Sequence, residues 1–214
     1  TYSSINCQRT LPYLNDWHRK YADDGLTIIG IHSPEFAFEE KYENVRSAVT
    51  KHGIAYPVVL DNEFGTWSAY GNRYWPRKYL IDIDGFIVYD HIGEGGYDET
   101  ERTIQELLAE RMEVLGMAGG VSEEVGGVED AQEVSFADVG SPEVYFGASR
   151  NDVLSNGEAG EIGSQNLALP DAFALNELYL HGVWNLEPEF AEAEAEGARI
   201  VFRYRAKEVY FVAG

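Results

Sequence analysis

Near the start of this 214-residue chain, Ser4 and Cys7 stand three positions apart, and Cys7 is the only cysteine. Two cysteines at this spacing form a C-x-x-C pair, in which a thiolate at the start of a helix attacks a disulfide and the second thiol releases the product. A serine hydroxyl at position 4 can cap the helix, but it cannot exchange disulfides at neutral pH. From the spacing alone, the better interpretation of Cys7 is a small buried apolar residue.

The residues around and after this motif predict the elements that would position it. In chain order these are a helix at the motif, a strand at 26–31, a helix ending near Gly53, a strand at 56–61, a hairpin at 78–93 and a helix at 99–115. The β-branched run at 26–31 is typical of a buried parallel strand, and Asp84-Gly85 predicts the turn of the hairpin. This order of elements indicates an α/β sandwich.

Composition excludes several classes of protein. A formal charge of -21, from 37 acidic and 16 basic residues, repels phosphate backbones and anionic lipid, so nucleic acid and membrane surfaces are poor partners. No apolar run approaches the roughly 20 residues that a membrane-spanning helix needs. One cysteine also excludes a framework of intramolecular disulfides. The simplest interpretation is that the acidic residues lie on surfaces exposed to solvent.

The second half of the chain has a different pattern. Residues 113–140 are rich in Gly, Val, Glu and Asp without a period, which predicts a linker between a first domain at 1–112 and a second at 141–214. In the second domain, residues 178–186 and 198–212 alternate as antiparallel strands do. The sequence therefore predicts an α/β domain followed by a small all-β sandwich.

The stretch TYSSINCQRTLPYLNDWHRKY closely resembles the active-site helix of TlpA-like thioredoxins, and GIHSPEF, YPVVLDNEFGTWSAYGNRYWPRKYLIDIDG and GEGGYDETE continue the match in order. The resemblance implies a thioredoxin fold up to about Arg111. It places Ser4 at the position of the attacking cysteine and Cys7 at that of the resolving cysteine. It also matches Pro76 to the cis-proline whose loop faces the cysteines.

The resemblance assigns further residues to the site. Glu35 falls where TlpA-like proteins keep a buried carboxylate near the cysteine pair, where it would shuttle a proton with a pKa raised by burial. The alternative for Glu35 is an acidic residue favoured by a helix N-terminus. Tyr2, Asn6 and Trp75 would shape a substrate groove, although packing is the simpler interpretation of Trp75 and its aromatic neighbours. The site implies no metal and no organic cofactor.

The second half is similar to the C-terminal domain of DipZ-type proteins, a resemblance that implies a jelly-roll fold like that of carbohydrate-binding modules. The candidate glycan-binding aromatics are Tyr145, Trp184, Tyr204 and Tyr210. Alternating aromatics in a small sandwich are more often core residues, which is the favoured alternative. The thioredoxin fold also needs an apolar strand before the motif, and the sandwich needs further strands after residue 214, so we expect a longer natural chain.

The resemblance implies a thiol-disulfide oxidoreductase outside the cytoplasm, in the periplasm or cell envelope. Its partners would be protein thiols and disulfides, with a CcdA/DsbD-like membrane electron carrier and carbohydrate as further candidates. The alternative is a redox-silent thioredoxin-fold scaffold that binds a glycan or a protein. The motif around Ser4 is otherwise intact and serine is the nearest isostere of cysteine, which favours a cysteine that has been replaced by serine. Whether Ser4 is natural or introduced, this form is expected to be inactive.

Overall fold

The computed structural model describes residues 1–129, 131–132 and 139–213, which form two compact units, Thr1–Gln132 and Glu133–Gly214. The elements of the first unit are α1 (Ile5–Tyr21), β1 (Gly30–His32), a 3-10 helix (Ala37–Glu40), α2 (Tyr42–Lys51), β2 (Val58–Leu60), α3 (Gly65–Ala69), β3 (Arg77–Ile81), β4 (Ile87–Ile92) and α4 (Tyr97–Leu115). Those of the second unit are β5 (Gly163–Leu167), β6 (Leu178–Leu186), β7 (Ala191–Ala193) and β8 (Arg199–Phe202). The predicted order of an α/β unit followed by a small β unit is confirmed.

Helix α1 carries the motif in its first turn and buries side chains from Cys7 to Tyr21. The side chains that it buries recur at intervals of up to six residues, and they are Cys7, Thr10, Asp16, Trp17 and Tyr21. This spacing places most of them along one face of a helix. Ser4 is the N-cap residue, with extended backbone angles and no capping hydrogen bond from its side chain. The position of Cys7 is therefore fixed by the packing of the whole helix.

Two helices pack together to form the core of the first unit. Trp17 and Tyr21 of α1 contact Ile104 and Leu108 of α4, and Leu80 of β3 lies against this cluster. The residues of α4 are four positions apart, so they share one face of that helix. This core holds the end of α1 that is distant from Cys7.

Replacing Ile104 with valine should test this packing. Ile104 is buried, so the loss of one methylene should lower the free energy of unfolding by about 1 kcal/mol. Urea unfolding followed by circular dichroism measures the difference. The matched control is Ile87→Val on β4, where the side chain is 51% exposed and the change should stay below about 0.5 kcal/mol. Equal losses from both variants would contradict this core assignment.

The strands of the first unit form two separate pairs. β1 and β2 are parallel, with Gly30 opposite Val58, and β3 and β4 are antiparallel. The predicted hairpin is confirmed: the N–H of Gly85 donates to the carbonyl of Asp82 at 3.1 Å, and Gly85 has a φ of +91°. A groove of about 680 Å³ is lined by residues of both β1 and β3, and Cys7 lies on its wall.

The second unit is organised around β6, which pairs antiparallel with β5, β7 and β8. Its core is formed by buried residues that include Leu178, Leu180, Trp184 and Leu186. The alternation along β6 predicted this burial, because residues two apart face the same side of a sheet. The described strands of this unit form one four-stranded arrangement. The first part of β6 pairs with β8, and its last part pairs with β5 and β7, so the second unit is a small β-sheet domain.

Part of the segment predicted to be a linker belongs to the first unit. α4 continues to Leu115, three residues past the predicted domain end. Farther along, the N–H of Gly126 donates to the Glu101 carboxylate at 2.9 Å, and the carbonyl of Glu124 accepts from Gln105 at 3.0 Å. These contacts attach residues 124–126 to α4. Residues 130 and 133–138 of the predicted linker lie outside the described residues.

No helix in the described part of the chain combines the length and the apolar character that crossing a membrane requires.

Candidate active site

The first turn of α1 brings Ser4 and Cys7 into contact. A hydrogen bond from the Ser4 hydroxyl stabilises the charged form of Cys7, and the N–H of Gln8 donates to the Ser4 carbonyl at 3.0 Å to start the helix. The Cys7 side chain is only 9% exposed. Burial is the largest influence on Cys7 and raises the pKa of its thiol. The structure therefore joins the two positions of the motif and leaves the sulfur largely protonated.

A buried carboxylate lies beside this turn, and it belongs to Glu39 of the 3-10 helix. Its side chain is fully buried. One oxygen accepts the Ser3 N–H at 3.0 Å and the hydroxyl of Thr1, and the other accepts the N–H groups of Glu35 at 2.7 Å and Phe36 at 3.3 Å. Glu39 thus ties the segment before α1 to the loop after β1.

The hydrogen bonds decide the charge of Glu39. Burial alone would raise the pKa of this carboxyl, but the donors from Thr1, Glu35 and Ser3 together outweigh burial and hold the pKa below its ordinary value. The group is therefore an anion at neutral pH. Its negative charge adds to the effect of burial in raising the pKa of the Cys7 thiol.

The structure corrects the position assigned to the buried carboxylate. Glu35 was expected to provide it, but the Glu35 side chain is half-buried, and its backbone N–H serves as a donor to Glu39. The carboxylate that is fully enclosed lies four residues later. At Glu39, hydrogen-bond donors from the backbone and from Thr1 hold the pKa of the carboxyl below its ordinary value.

The loop before β3 lies on the other side of the site. The Trp75-Pro76 peptide bond is cis, as the resemblance implied. The Trp75 indole N–H donates to the Ser33 carbonyl at 3.0 Å, and its ring lies 4.3 Å from that of Trp67. Trp75 and Pro76 line the same groove as Cys7. Trp75 is therefore held by packing and also faces the groove.

Two residues that flank the motif differ in their positions. Tyr2 lines the groove and stacks on His32, with 5.6 Å between the ring centroids. His32 is buried, which lowers the pKa of its imidazole, and its Nε2 lies 3.1 Å from the Glu39 carbonyl oxygen. Asn6 is not among the residues that line the groove, and its carbonyl accepts a hydrogen bond from the Thr10 hydroxyl at 3.0 Å.

Lys78 is a charged residue of the site that the sequence analysis did not select. It follows Pro76 by two positions on β3, is 8% exposed and lines the groove with Cys7. Its Nζ donates to the carbonyls of Gly93 and Gly95, each at 3.3 Å. The period of two along β3 places Lys78 on the same face as Leu80, which packs against the core. This alternation is the sequence signal that indicates an inward position for Lys78.

The aromatic candidates of the second unit do not form one exposed face. Trp184 is 6% exposed, belongs to the core, and donates its indole N–H to the His181 carbonyl at 2.9 Å. Its assignment to a glycan site is corrected in favour of the core alternative. Tyr145 is half-buried with the Arg150 guanidinium 3.5 Å from its ring centroid, whereas Tyr204 and Tyr210 are exposed. A glycan-binding role for these three tyrosines stays a prediction.

Known proteins resemble both units. Residues 4–108 match the family described as Redoxin, and residues 141–214 match the family described as thioredoxin like C-terminal domain. Over 213 residues the chain is 37% identical to protein DipZ of Mycobacterium bovis, an alignment that covers 100% of this chain and 30% of DipZ. The chain thus spans less than a third of that relative's length.

Two further relatives match the first unit. The thiol-disulfide oxidoreductase ResA of Bacillus thuringiensis is 29% identical over 101 residues, which cover 47% of this chain and 56% of ResA. The human NHL repeat-containing protein 2 is 37% identical over 100 residues, which cover 46% of this chain and 14% of that protein. The α/β unit is therefore thioredoxin-like, as the resemblance implied.

Proposed function

Because the chain joins a thioredoxin-like redoxin domain to a thioredoxin-like C-terminal domain and is related to DipZ and ResA, we propose that it represents a thiol-disulfide oxidoreductase domain. The observation that carries this proposal is the contact between positions 4 and 7 at the start of α1. The catalytic pair would consist of a cysteine at position 4 and Cys7. In the present chain, Ser4 occupies the first of these positions.

The proposed mechanism gives one step to each of the two positions. A thiolate at position 4 attacks one sulfur of a substrate disulfide, forming a mixed disulfide and releasing the other substrate sulfur as a thiolate. Cys7 then loses its proton to that thiolate, directly or through solvent, and attacks the sulfur at position 4. This second exchange releases the remaining substrate thiol. The substrate disulfide gains two electrons, and the enzyme pair becomes a disulfide.

The chain with Ser4 can perform only part of this sequence. Its single sulfur can exchange with a substrate disulfide once, forming a mixed disulfide at Cys7, but no second thiol of the same molecule can release the substrate. Burial and the Glu39 charge also keep the Cys7 thiolate scarce. We therefore propose that this form is redox-inactive as a catalyst.

The proposed setting is outside the cytoplasm, with protein thiols and disulfides as substrates. The resemblance to TlpA-like and DipZ-type proteins supports this proposal. A CcdA/DsbD-like membrane carrier is the proposed source of electrons. The alignment covers 30% of DipZ, so most of that relative lies outside the matched region.

The test is the reduction of insulin disulfides by the Ser4→Cys variant under a fixed supply of dithiothreitol, compared with the chain that has Ser4. Turnover by the variant alone supports an oxidoreductase. A folded variant that stays at the rate without protein would instead favour the redox-silent binding scaffold.

A further inference from the structure

Asp61 and Ser33 are neighbours at the place where β1 and β2 end. The two strands are parallel with His32 opposite Leu60, so the next residue of each strand, Ser33 on one and Asp61 on the other, lie side by side. Both residues are buried. The Ser33 hydroxyl donates to Oδ2 of Asp61 at 3.0 Å. A buried carboxylate therefore joins the two strand ends.

The Asp61 carboxylate also holds the start of α3. Its Oδ1 accepts the N–H of Thr66 at 2.8 Å, and its Oδ2 accepts that of Trp67 at 2.9 Å. Burial would raise the pKa of Asp61, but these hydrogen bonds and the one from Ser33 outweigh burial and hold the pKa below its ordinary value. Asp61 is therefore an anion at neutral pH, and its hydrogen bonds are strengthened by the charge.

Two of the residues that Asp61 holds contact Trp75, which directly precedes Pro76. The Ser33 carbonyl accepts the indole N–H of Trp75 at 3.0 Å. The Trp67 ring lies 4.3 Å from the Trp75 ring, at an interplanar angle of 38°. One contact fixes the polar edge of the indole and the other packs against its ring. Because this side chain has few rotatable bonds, the two contacts together define its orientation.

These contacts lie directly behind the wall of the groove. Ser33, Trp67 and Trp75 line the groove on whose wall Cys7 also lies, whereas Asp61 is not among the lining residues. Asp61 thus binds the residues that form the wall without facing the groove itself. Its influence on the groove is exerted through the side chains that it holds.

We propose that Asp61 is a positioning residue that holds the Trp75 indole in place on the groove wall through Ser33 and Trp67. The carboxylate takes no part in proton or electron transfer. The effect of Trp75 on a substrate rests on the proposed oxidoreductase function, whereas the placement of the indole does not.

The orientation of the two indoles can be measured directly. Two tryptophan rings this close give an exciton couplet in far-ultraviolet circular dichroism, and Trp67→Phe and Trp75→Phe should each abolish it, which assigns the couplet to this pair. Asp61→Asn keeps the size of the side chain but replaces one acceptor oxygen with an NH2 group. This variant should lose about half of the couplet amplitude or more, because the released indole samples several rotamers.

Asp82→Asn is the matched control. Asp82 also accepts two backbone N–H groups, at 3.0 and 2.8 Å, but it does so in the β3–β4 hairpin, so its replacement should leave the couplet unchanged. Urea unfolding confirms that each variant is folded. A full couplet in folded Asp61→Asn, or an equal loss in Asp82→Asn, would overturn the proposal.

Ser33→Ala covers the case in which Asp61→Asn does not fold. It removes the hydroxyl that reaches Asp61 and keeps the carbonyl that accepts from Trp75. The couplet should weaken, although less than in Asp61→Asn, because the contacts of Asp61 with α3 remain. An unchanged couplet in this variant contradicts the role of Ser33 in the proposal.

The same changes in the Ser4→Cys background connect the indole to turnover. Asp61→Asn should raise KM for insulin about tenfold, the scale of one lost apolar contact, and should change kcat less. Partial unfolding would instead lower kcat through the amount of active protein. An inert Ser4→Cys variant whose couplet still depends on Asp61 would reject the oxidoreductase proposal and leave the positioning role intact. A couplet that is independent of Asp61 rejects the positioning role whether or not Ser4→Cys turns over.

Discussion

The Ser4→Cys variant should reduce insulin disulfides at least about 100-fold faster than the chain with Ser4, because it gains the nucleophile on which the covalent route depends. The chain with Ser4 should stay near the rate of dithiothreitol alone. The rate is followed by the turbidity of the released insulin chains at fixed protein and dithiothreitol concentrations. Loss of two hydrogen masses after mild oxidation gives an independent readout of the new disulfide between position 4 and Cys7.

The physical reason lies in the different surroundings of the two positions. Position 4 is the N-cap of α1, where unpaired backbone N–H groups and the helix dipole stabilise a thiolate. Position 7 is buried and lies beside the negative charge of Glu39. The new cysteine is therefore the attacking group, and Cys7 is close enough to it to release the substrate.

Two controls isolate the contribution of the spacing. Ser3→Cys introduces the same thiol one residue earlier, outside the C-x-x-C register, and should stay near background. Adding Cys7→Ala to Ser4→Cys keeps the attacking thiol but removes the resolving one, so a stable mixed disulfide with substrate should accumulate. Equal turnover by Ser3→Cys and Ser4→Cys would show that a second thiol outside the C-x-x-C register suffices and that the motif has no special role.

The sequence could predict the parts of the site that depend on local spacing. A helix whose N-cap is Ser4 must place residue 7 in its first turn, close to Ser4. An X-Pro bond is one of the few peptide bonds that can be cis. Both features are present, with Ser4 in contact with Cys7 and Trp75-Pro76 cis. The hairpin around Gly85 follows from the same kind of local information.

The carboxylate could not be assigned in this way. Glu35 and Glu39 stand in one short acidic segment, and their burial depends on how the chain turns after β1. The 3-10 helix directs Glu39 toward the N–H groups of Ser3, Glu35 and Phe36, while Glu35 contributes its backbone. A turn of this kind is determined by tertiary contacts, which the order of the residues does not reveal.

For Lys78 and Trp184, the alternation along the strand predicted a buried side chain, whereas the residue type suggested a different location. Lysine is rarely buried, so residue type gives no indication of the inward position of Lys78 on β3. Tryptophan is common in glycan sites, yet Trp184 alternates in phase with Leu180 and Leu186 of β6 and lies with them in the core. In both strands the period of two was a better guide than residue type.

Replacing Glu39 with glutamine should lower the free energy of unfolding by about 4 kcal/mol at neutral pH, since charge-assisted hydrogen bonds in a buried site are lost together. The side-chain amide of glutamine has one acceptor oxygen, so its NH2 group would face backbone N–H donors that now bond to a carboxylate oxygen. Urea unfolding at pH 7 measures the loss. Glu40→Gln, at the exposed neighbouring position, is the matched control and should change stability by less than about 0.5 kcal/mol.

The pH dependence of that difference identifies the carboxylate charge as its origin. The pKa of Glu39 in the folded chain lies below the ordinary value of 4.5, so the unfolded chain binds the proton more tightly. The stabilisation by Glu39 is therefore complete above the pKa of the unfolded chain and is lost as pH falls through the pKa of the folded chain. The gap between the unchanged chain and Glu39→Gln should be widest at neutral pH and should narrow below about pH 4.5. A gap that stays constant from about pH 7 to about pH 3 would mean that the shape of the glutamate, and not its charge, holds the segment before α1 in place beside Cys7.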